Sequence, residues 1–222
     1  MPAVLKRTGS RRPVRKRKRK PPANRRIAIL WTVVLVLLVW VLVGAALHLV
    51  SFIRENRAEW HDRVPGWVDV QLIDVNGKAR RGELLAGVND IVIHYVGNPG
   101  TTAQENRDFF NLPDTEVSAH FLVGLDGEVI QCIPLEEKSS ASNERNLDTI
   151  SIEVCHPGED GAFNEKTYQS LVKLTVWLCE RYGLDRDHVI RHYDVTGKEC
   201  PLYYVRNPDA WEQFLTDVQK KL

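Results

Sequence analysis

Ile91-Val92-Ile93-His94-Tyr95-Val96-Gly97-Asn98-Pro99-Gly100 is an apolar run, entered at Asp90, that ends on a histidine and breaks into a Gly/Asn/Pro loop. A run of this length between turn residues reads as a short buried strand. It delivers the His94 imidazole to a loop edge on a rigid mount. Working outward, Thr101 or Thr102 caps a helix reaching about Asn111, with Gln104 and Glu105 in capping positions. Phe121 to Val123 and Glu128 to Ile133 flank Asp126-Gly127, a hairpin signal. Thr149 to Cys155 alternates, with Ile150, Ile152 and Val154 on one face and Ser151, Glu153 and Cys155 on the other.

Helical spacing then takes over. Tyr168, Leu171, Val172, Thr175, Val176, Leu178 and Cys179 recur at that period from Asn164 to about Tyr182, and Gly183 stops the run. A last helix opens with Asn207 as cap and Pro208 at the first helical position, and carries Trp211, Phe214, Leu215 and Val218 on one stripe. The sum is an α/β domain: a mixed central β-sheet with packed helices.

The second informative segment is Arg191-His192-Tyr193-Asp194-Val195-Thr196-Gly197-Lys198-Glu199-Cys200-Pro201. His192 and Cys200 are too far apart for one helical turn, so a loop containing Gly197 has to fold back to bring them to one point. With His94 they supply two imidazoles and a thiolate, a tetrahedral zinc set whose fourth position stays open for water, as in catalytic sites. Such an ion generates a nucleophile at neutral pH without an activated Ser or Cys. A carboxylate must then move the proton, and Glu153, central in a strand where a charge is otherwise unfavourable, is the candidate. Lys198, two residues from a metal ligand, is the candidate cation for a developing oxyanion. The bland readings stay beside these: His94 as a satisfied core group, Glu153 as an ion-pair partner, Lys198 as a solvated loop cation. His120 reads as a wall or outer-shell residue, His156 as a loop residue, and His188 as exposed.

Four segments in order resemble a known family: IVIHYVGNPG (91–100), VSAHFLVGLDGEVIQCIP (117–134), DTISIEVCHP (148–157) and RHYDVTGKECP (191–201). They are similar to the zinc-dependent N-acetylmuramoyl-L-alanine amidases, related to amidase-type phage lysozymes and peptidoglycan recognition proteins. The likeness covers residues 82–222. It implies that fold, Zn2+ held by His94, His192 and Cys200, Glu153 as general base, Lys198 as oxyanion stabiliser, and peptidoglycan as substrate, cut between N-acetylmuramic acid and L-alanine. Two departures stand. Ala119 occupies the place where some relatives carry a tyrosine, and the Trp-His-Ala stretch of many relatives is absent from Lys138-Ser139-Ser140-Ala141. A non-hydrolytic peptidoglycan-binding module and a zinc peptidase cutting within the stem peptide are the rival readings; Cys200 favours catalysis over the first.

Charge splits the chain. Residues 1–26 hold twelve Lys or Arg and no acid, leaving 18 basic against 29 acidic groups in the rest, a net of about −11. Residues 27–50 then run for 24 positions with His48 as their sole ionisable side chain. As a helix of about 36 Å this stretch spans a hydrocarbon core of about 30 Å. It is longer than the apolar region of a signal peptide and reads as an uncleaved anchor, although Gly44-Ala45-Ala46 leaves a cleavage site open. The basic head places the N-terminus on the cytoplasmic side. A basic run abutting a span reads as topology signal and anionic-lipid contact, so no nucleic-acid partner is expected. The expected organisation is a basic cytoplasmic segment (1–26), a membrane anchor (27–53), a stalk (54–81) whose alternating run Val68 to Val75 and turn pair Asn76-Gly77 read as a strand or hairpin, and the zinc amidase domain (82–222). Cys132, Cys155 and Cys179 fall in apolar patterns and read as small buried residues, with a Cys132 to Cys155 bridge as the alternative.

Overall fold

The computed structural model describes residues 25–61, 64–75 and 77–222. The chain divides after Arg54 into two compact units. The first is carried by helix α1 (Arg25–His61). Its stretch Ile27–Ser51 has a mean hydropathy of 2.9, and none of it is buried against protein. Trp31 and Trp40 stand 66% and 76% exposed. Soluble domains do not leave a contiguous apolar surface of that extent in water, and 25 residues suffice to cross a bilayer core. One N-terminal helix is therefore a candidate membrane span. A signal sequence has the same outline. The basic head over residues 1–24 lies outside the described residues.

In the second unit the strands are β1 (Val68–Val70), β2 (Asp90–Tyr95), β3 (Phe121–Val123), β4 (Val129–Gln131), β5 (Thr149–Val154) and β6 (Val189–Arg191). They form one sheet in the order β1-β4-β3-β5-β2-β6. β3, β5, β2 and β6 are mutually parallel, β4 turns back antiparallel on β3, and β1 lies parallel to β4. The helices are α2 (Ala103–Phe110), α3 (Glu165–Tyr182), α4 (His192–Thr196), α5 (Leu202–Arg206) and α6 (Pro208–Gln219).

The central place of β2 explains its composition: Ile91, Val92 and Ile93 are fully buried because both faces of a parallel strand are covered. Strand alternation separates two cores. Ile91, Ile93, Ile150 and Ile152 join Leu171, Leu174 and Leu178 of α3 and Phe214 of α6. Leu122, Ile130 and Cys155 join Ala103 and Phe110 of α2 on the opposite face. Parity assigns Glu153, two residues before Cys155, to the α2 side.

The local signals explain the ends of the elements. Thr102 caps α2 in a complete capping box: its Oγ1 accepts from the Glu105 N–H at 3.1 Å, and Glu105 accepts from the Thr102 N–H at 2.8 Å. Asn164 caps α3, and Gly183 ends it in the left-handed region. Gly127 at the hairpin turn has φ +85°, and a Cβ there would meet Ser170 Oγ at 2.9 Å and the Lys166 carbonyl at 3.1 Å. The turn thus needs glycine for its backbone and for the close approach of α3. At α6 Asn207 stands at the N-cap with Pro208 after it, as expected, but the Asn207 side chain does not cap the helix. Asn207 Nδ2 donates to the Tyr203 carbonyl at 2.9 Å, and α6 starts on Pro208 without a side-chain cap.

Residues 54–81, expected as a stalk with a strand or hairpin, divide in another way. α1 runs on to His61, and β1 is the outermost strand of the main sheet. Beyond β1 the Ile73 N–H donates to the Cys132 carbonyl at 2.9 Å, and Ile73 and Ala79 are buried. Trp67 packs edge-on against Trp177 of α3 at 6.5 Å, with the Lys173 ammonium 4.1 Å from its ring centre. The alternating pattern of 68–75 carried the strand period but not the identity of its partner. Asn76 of the expected turn lies outside the described residues, and Gly77 has φ 79°. All four cysteines are buried and free.

Candidate metal centre

The carboxyl ends of the adjacent parallel strands β5, β2 and β6 open at one edge of the sheet, the place where open α/β sheets form crevices. His94 is the penultimate residue of β2, and Glu153 lies directly opposite it in register on β5. His192 follows the last residue of β6 and starts the single-turn helix α4. Asp194 pins that start: its carboxylate accepts from the Arg191 backbone N–H at 2.8 Å and from the Arg191 guanidinium at 2.8 Å. Gly197, at φ 77°, ends the turn. The chain then folds back until the Cys200 carbonyl accepts from the Tyr193 N–H at 2.9 Å. The Cys200–Pro201 peptide is cis. By this route two residues eight apart in sequence reach one point.

One ligand atom each from His94, His192 and Cys200 lies within 4.8 Å of the other two, and all three residues are buried. The two imidazoles face each other, Nδ1 to Nδ1, at 3.1 Å. Nitrogens each about 2.1 Å from one tetrahedral ion stand roughly 3.4 Å apart, so the pair is spaced to share a metal. Glu153 Oε1 lies 3.9 Å from His94 Nδ1, and its Oε2 is buried without a hydrogen-bond partner.

Electrostatics point the same way. Burial, then the neighbouring His192 and Lys198, hold His94 well below the usual imidazole range, and burial with Lys198 lowers His192. Both rings are thus neutral near pH 7, as ligands must be. Burial pushes the Glu153 carboxyl up to about 8, with Lys198 pulling it down. Burial and the Glu153 charge push the Cys200 thiol up to about 12, against the Tyr95 backbone N–H and Lys198. Two neutral imidazoles, a buried thiol and a carboxyl whose Oε2 has no partner make a donor set that a divalent cation would complete, the thiol giving up its proton to bind it. The residues present fit zinc.

These groups line a cleft of about 730 Å³, walled on one side by Asn106, Phe109 and Phe110 and on the other by Arg81, Ser140 and Asn146. Lys198 and Arg81 are both exposed on it, and neither makes an ion pair among the described residues.

Residues 85–202 match the family profile described as N-acetylmuramoyl-L-alanine amidase. The chain belongs to that family. It is 34% identical over 167 residues to the N-acetylmuramoyl-L-alanine amidase CwlL of Bacillus licheniformis, across 68% of this chain and 45% of the relative. To the amidase BlyA of Bacillus subtilis it is 34% identical over 171 residues, across 68% of this chain and 46% of the relative. The match therefore spans about half the length of these curated relatives. Among solved structures, the catalytic domain of XlyA superposes with a TM-score of 0.60 at 27% identity, covering 68% of this chain and 98% of that one. A mutant endolysin from Bacillus subtilis gives 0.60 and 27%, covering 68% and 97%.

Within this amidase fold the five singled-out residues, His94, Glu153, His192, Lys198 and Cys200, all line the one cleft. His120, His156 and His188 do not. His120 is fully buried inside the sheet, its Nδ1 accepting from the Ser151 N–H at 3.0 Å and its Nε2 donating to the Glu137 carbonyl at 2.9 Å. It is a structural group, not a cleft wall. Ala119, where some amidases carry a tyrosine, is buried in the α2-side core. His156 is buried, with Nδ1 2.7 Å from the Gly158 carbonyl and its ring 5.1 Å from that of Tyr95. His188 is half-exposed beside Asp90 at 3.2 Å. Sequence reasoning missed Arg81, Ser142 and Asn143. The last two touch the far nitrogens of the candidate ligands, and no sequence signal fell on them; the departure from the family wording covers residues 138–141, just before them.

Proposed function

We propose that this chain is a membrane-anchored, zinc-dependent amidase. It hydrolyses the amide bond between the lactyl group of N-acetylmuramic acid and the L-alanine of the stem peptide in peptidoglycan. The observation that carries the reading is the convergence of His94, His192 and Cys200 beside Glu153 at the floor of one cleft, in a chain of the amidase family. His94, His192 and Cys200 would hold the zinc, which supplies Lewis acidity and makes water nucleophilic at neutral pH. Glu153, fixed by the β2–β5 register, takes the proton of the attacking water and passes it to the leaving nitrogen. Lys198 places its ammonium beside the negative oxygen that develops on the carbonyl, and loss of such a donor costs about 10² to 10³ in rate. Arg81, the exposed guanidinium on the cleft wall, pairs with a carboxylate of the acidic stem peptide. α1 anchors the chain with its N-terminus cytoplasmic and the amidase domain outside, where peptidoglycan lies.

The test is digestion of purified peptidoglycan by the detergent-solubilised full chain, with an unrelated amidase as positive control and mass spectrometry of the products. Intact stem peptides beginning at L-alanine are expected, with turnover down at least ~10²-fold in Glu153→Gln and zinc content lost in Cys200→Ser. Truncated peptides would show a peptidase. Bound zinc with no release would leave a binding module.

A further inference from the structure

We propose that Ser142 and Asn143 are positioning residues of the metal centre. Acting through the far nitrogens of both imidazoles, they lock the two rings so that each turns a lone pair toward the same ion. The inference rests on the zinc reading above. Its observation is separate: two consecutive residues on one turn serve two histidines that lie 98 positions apart in the chain. Ser142 Oγ lies 3.2 Å from His94 Nε2, and Asn143 Oδ1 lies 3.3 Å from His192 Nε2.

The chemistry follows from the donor inventory. A neutral imidazole carries one N–H and one lone pair, so a hydrogen bond at one nitrogen decides what the other offers. The Asn143 Oδ1 is an acceptor only, so His192 carries its proton on Nε2 and leaves Nδ1 bare. Ser142 Oγ, when it accepts from His94 Nε2, leaves His94 Nδ1 bare as well. Two bare Nδ1 atoms then face each other at 3.1 Å. Lone pair against lone pair calls for a cation between them; without one, His94 Nδ1 carries the proton and donates to His192 Nδ1 while the Ser142 hydroxyl donates to His94 Nε2. In either state the turn holds both rings aimed at one point, so less of their freedom remains to be lost on metal binding.

The turn is built to hold that geometry. Ser142 is fully buried. Asn146 Oδ1 accepts from both the Ala141 and Ser142 backbone N–H groups, at 3.0 and 2.7 Å. The 3-10 turn that follows (Asn143–Leu147) is tied to both site strands: Thr149 of β5 donates its hydroxyl to the Arg145 carbonyl at 2.6 Å, and Arg145 pairs with Asp90 of β2. Asn143 itself has φ 53°, the one positive-φ residue besides glycine among those described. Glycine would satisfy that backbone at lower cost. Asparagine is among the few side chains that tolerate that backbone, and unlike glycine it adds the oxygen that meets His192 Nε2.

Zinc affinity separates this role from a merely structural one. The full chain is titrated with zinc in detergent against a chromophoric chelator, and thermal unfolding is followed in parallel without metal. Asn143→Gly keeps the left-handed turn and removes the acceptor; it should weaken zinc binding about 10- to 100-fold while the metal-free unfolding temperature holds or rises. Ser142→Ala should weaken it by a similar factor. Asn143→Asp, which keeps an acceptor oxygen, should bind within a few-fold of wild type. Cobalt substitution gives a second readout: the ligand-field bands should shift in Asn143→Gly and return in Asn143→Asp. If wild type binds zinc tightly and both Asn143→Gly and Ser142→Ala bind it equally well, the positioning role is overturned and the metal reading stands. If wild type binds no zinc, both fall. If Asn143→Asp is as weak as Asn143→Gly, the acceptor argument fails.

Discussion

Acidification should weaken this fold through His120, and the size of the effect follows from its contacts. The ring is fully buried; its Nδ1 accepts from the Ser151 N–H and its Nε2 donates to the Glu137 carbonyl. A second proton would have to go on Nδ1, which the Ser151 N–H already occupies at 3.0 Å beside the Ser151 hydroxyl at 3.1 Å. Burial lowers the His120 pKa from 6.5 to about 4, against the smaller opposing effect of the Glu137 hydrogen bond. In the unfolded chain the ring titrates near 6.5. Above that value it is neutral in both states and contributes no pH dependence. Between pH 6.5 and about 4 the unfolded chain binds a proton that the folded chain refuses, so stability falls as pH falls. The slope approaches about 1.4 kcal/mol per pH unit, and the loss levels off near about 3 kcal/mol below the folded pKa. The assay is denaturant unfolding of the full chain in detergent with a metal chelator present, followed by tryptophan fluorescence from pH 8 to 4. His120→Gln removes the titration and serves as reference. It should be less stable than wild type at pH 8 but lose less stability on acidification, by roughly that 3 kcal/mol. Parallel pH profiles for the two proteins would refute the argument, because the acid sensitivity would then belong to other groups.

Two further outcomes are expected. Arg81→Ala should raise KM for peptidoglycan fragments about 10- to 150-fold and leave kcat nearly unchanged, since a charge-assisted hydrogen bond to a non-reacting carboxylate contributes about 1.5–3 kcal/mol of uniform binding; a fall in kcat at constant KM would contradict that role. Phe214→Ala, at a fully buried position where α6 packs against α3 and the sheet, should cost about 3–5 kcal/mol in denaturant unfolding.

Much of the site was legible in the chain because its signals are local. A buried strand that ends on His94 needs no knowledge of its neighbours to be read, and neither do the Thr102 capping box, the Asp126-Gly127 turn and the helical stripe of α3. The fold-back between His192 and Cys200 was likewise implied by spacing and Gly197. The order of the strands was not. Edge strand β1 shows its alternation in sequence, but its pairing with β4, 61 residues further on, depends on which unpaired sheet edge the folded core presents. His120 was misjudged for the same reason: a histidine beside a strand looks alike whether its nitrogens meet a cleft or a neighbouring backbone.

Ser142, Asn143 and Arg81 belong wholly to the tertiary structure. No period or spacing connects a Ser-Asn turn to two histidines that flank it by about 50 residues on either side, and a hydrogen bond of about 3 Å is a property of coordinates rather than of patterns. By itself the sequence determined the chemistry on offer, two imidazoles, a thiol, a carboxylate and an ammonium, and the elements that carry them, because residue type and periodicity act within a few positions. Only the parallel register of β5, β2 and β6 decided that these groups share one cleft, because convergence in space comes from long-range pairing paid for by the cores on both faces of the sheet.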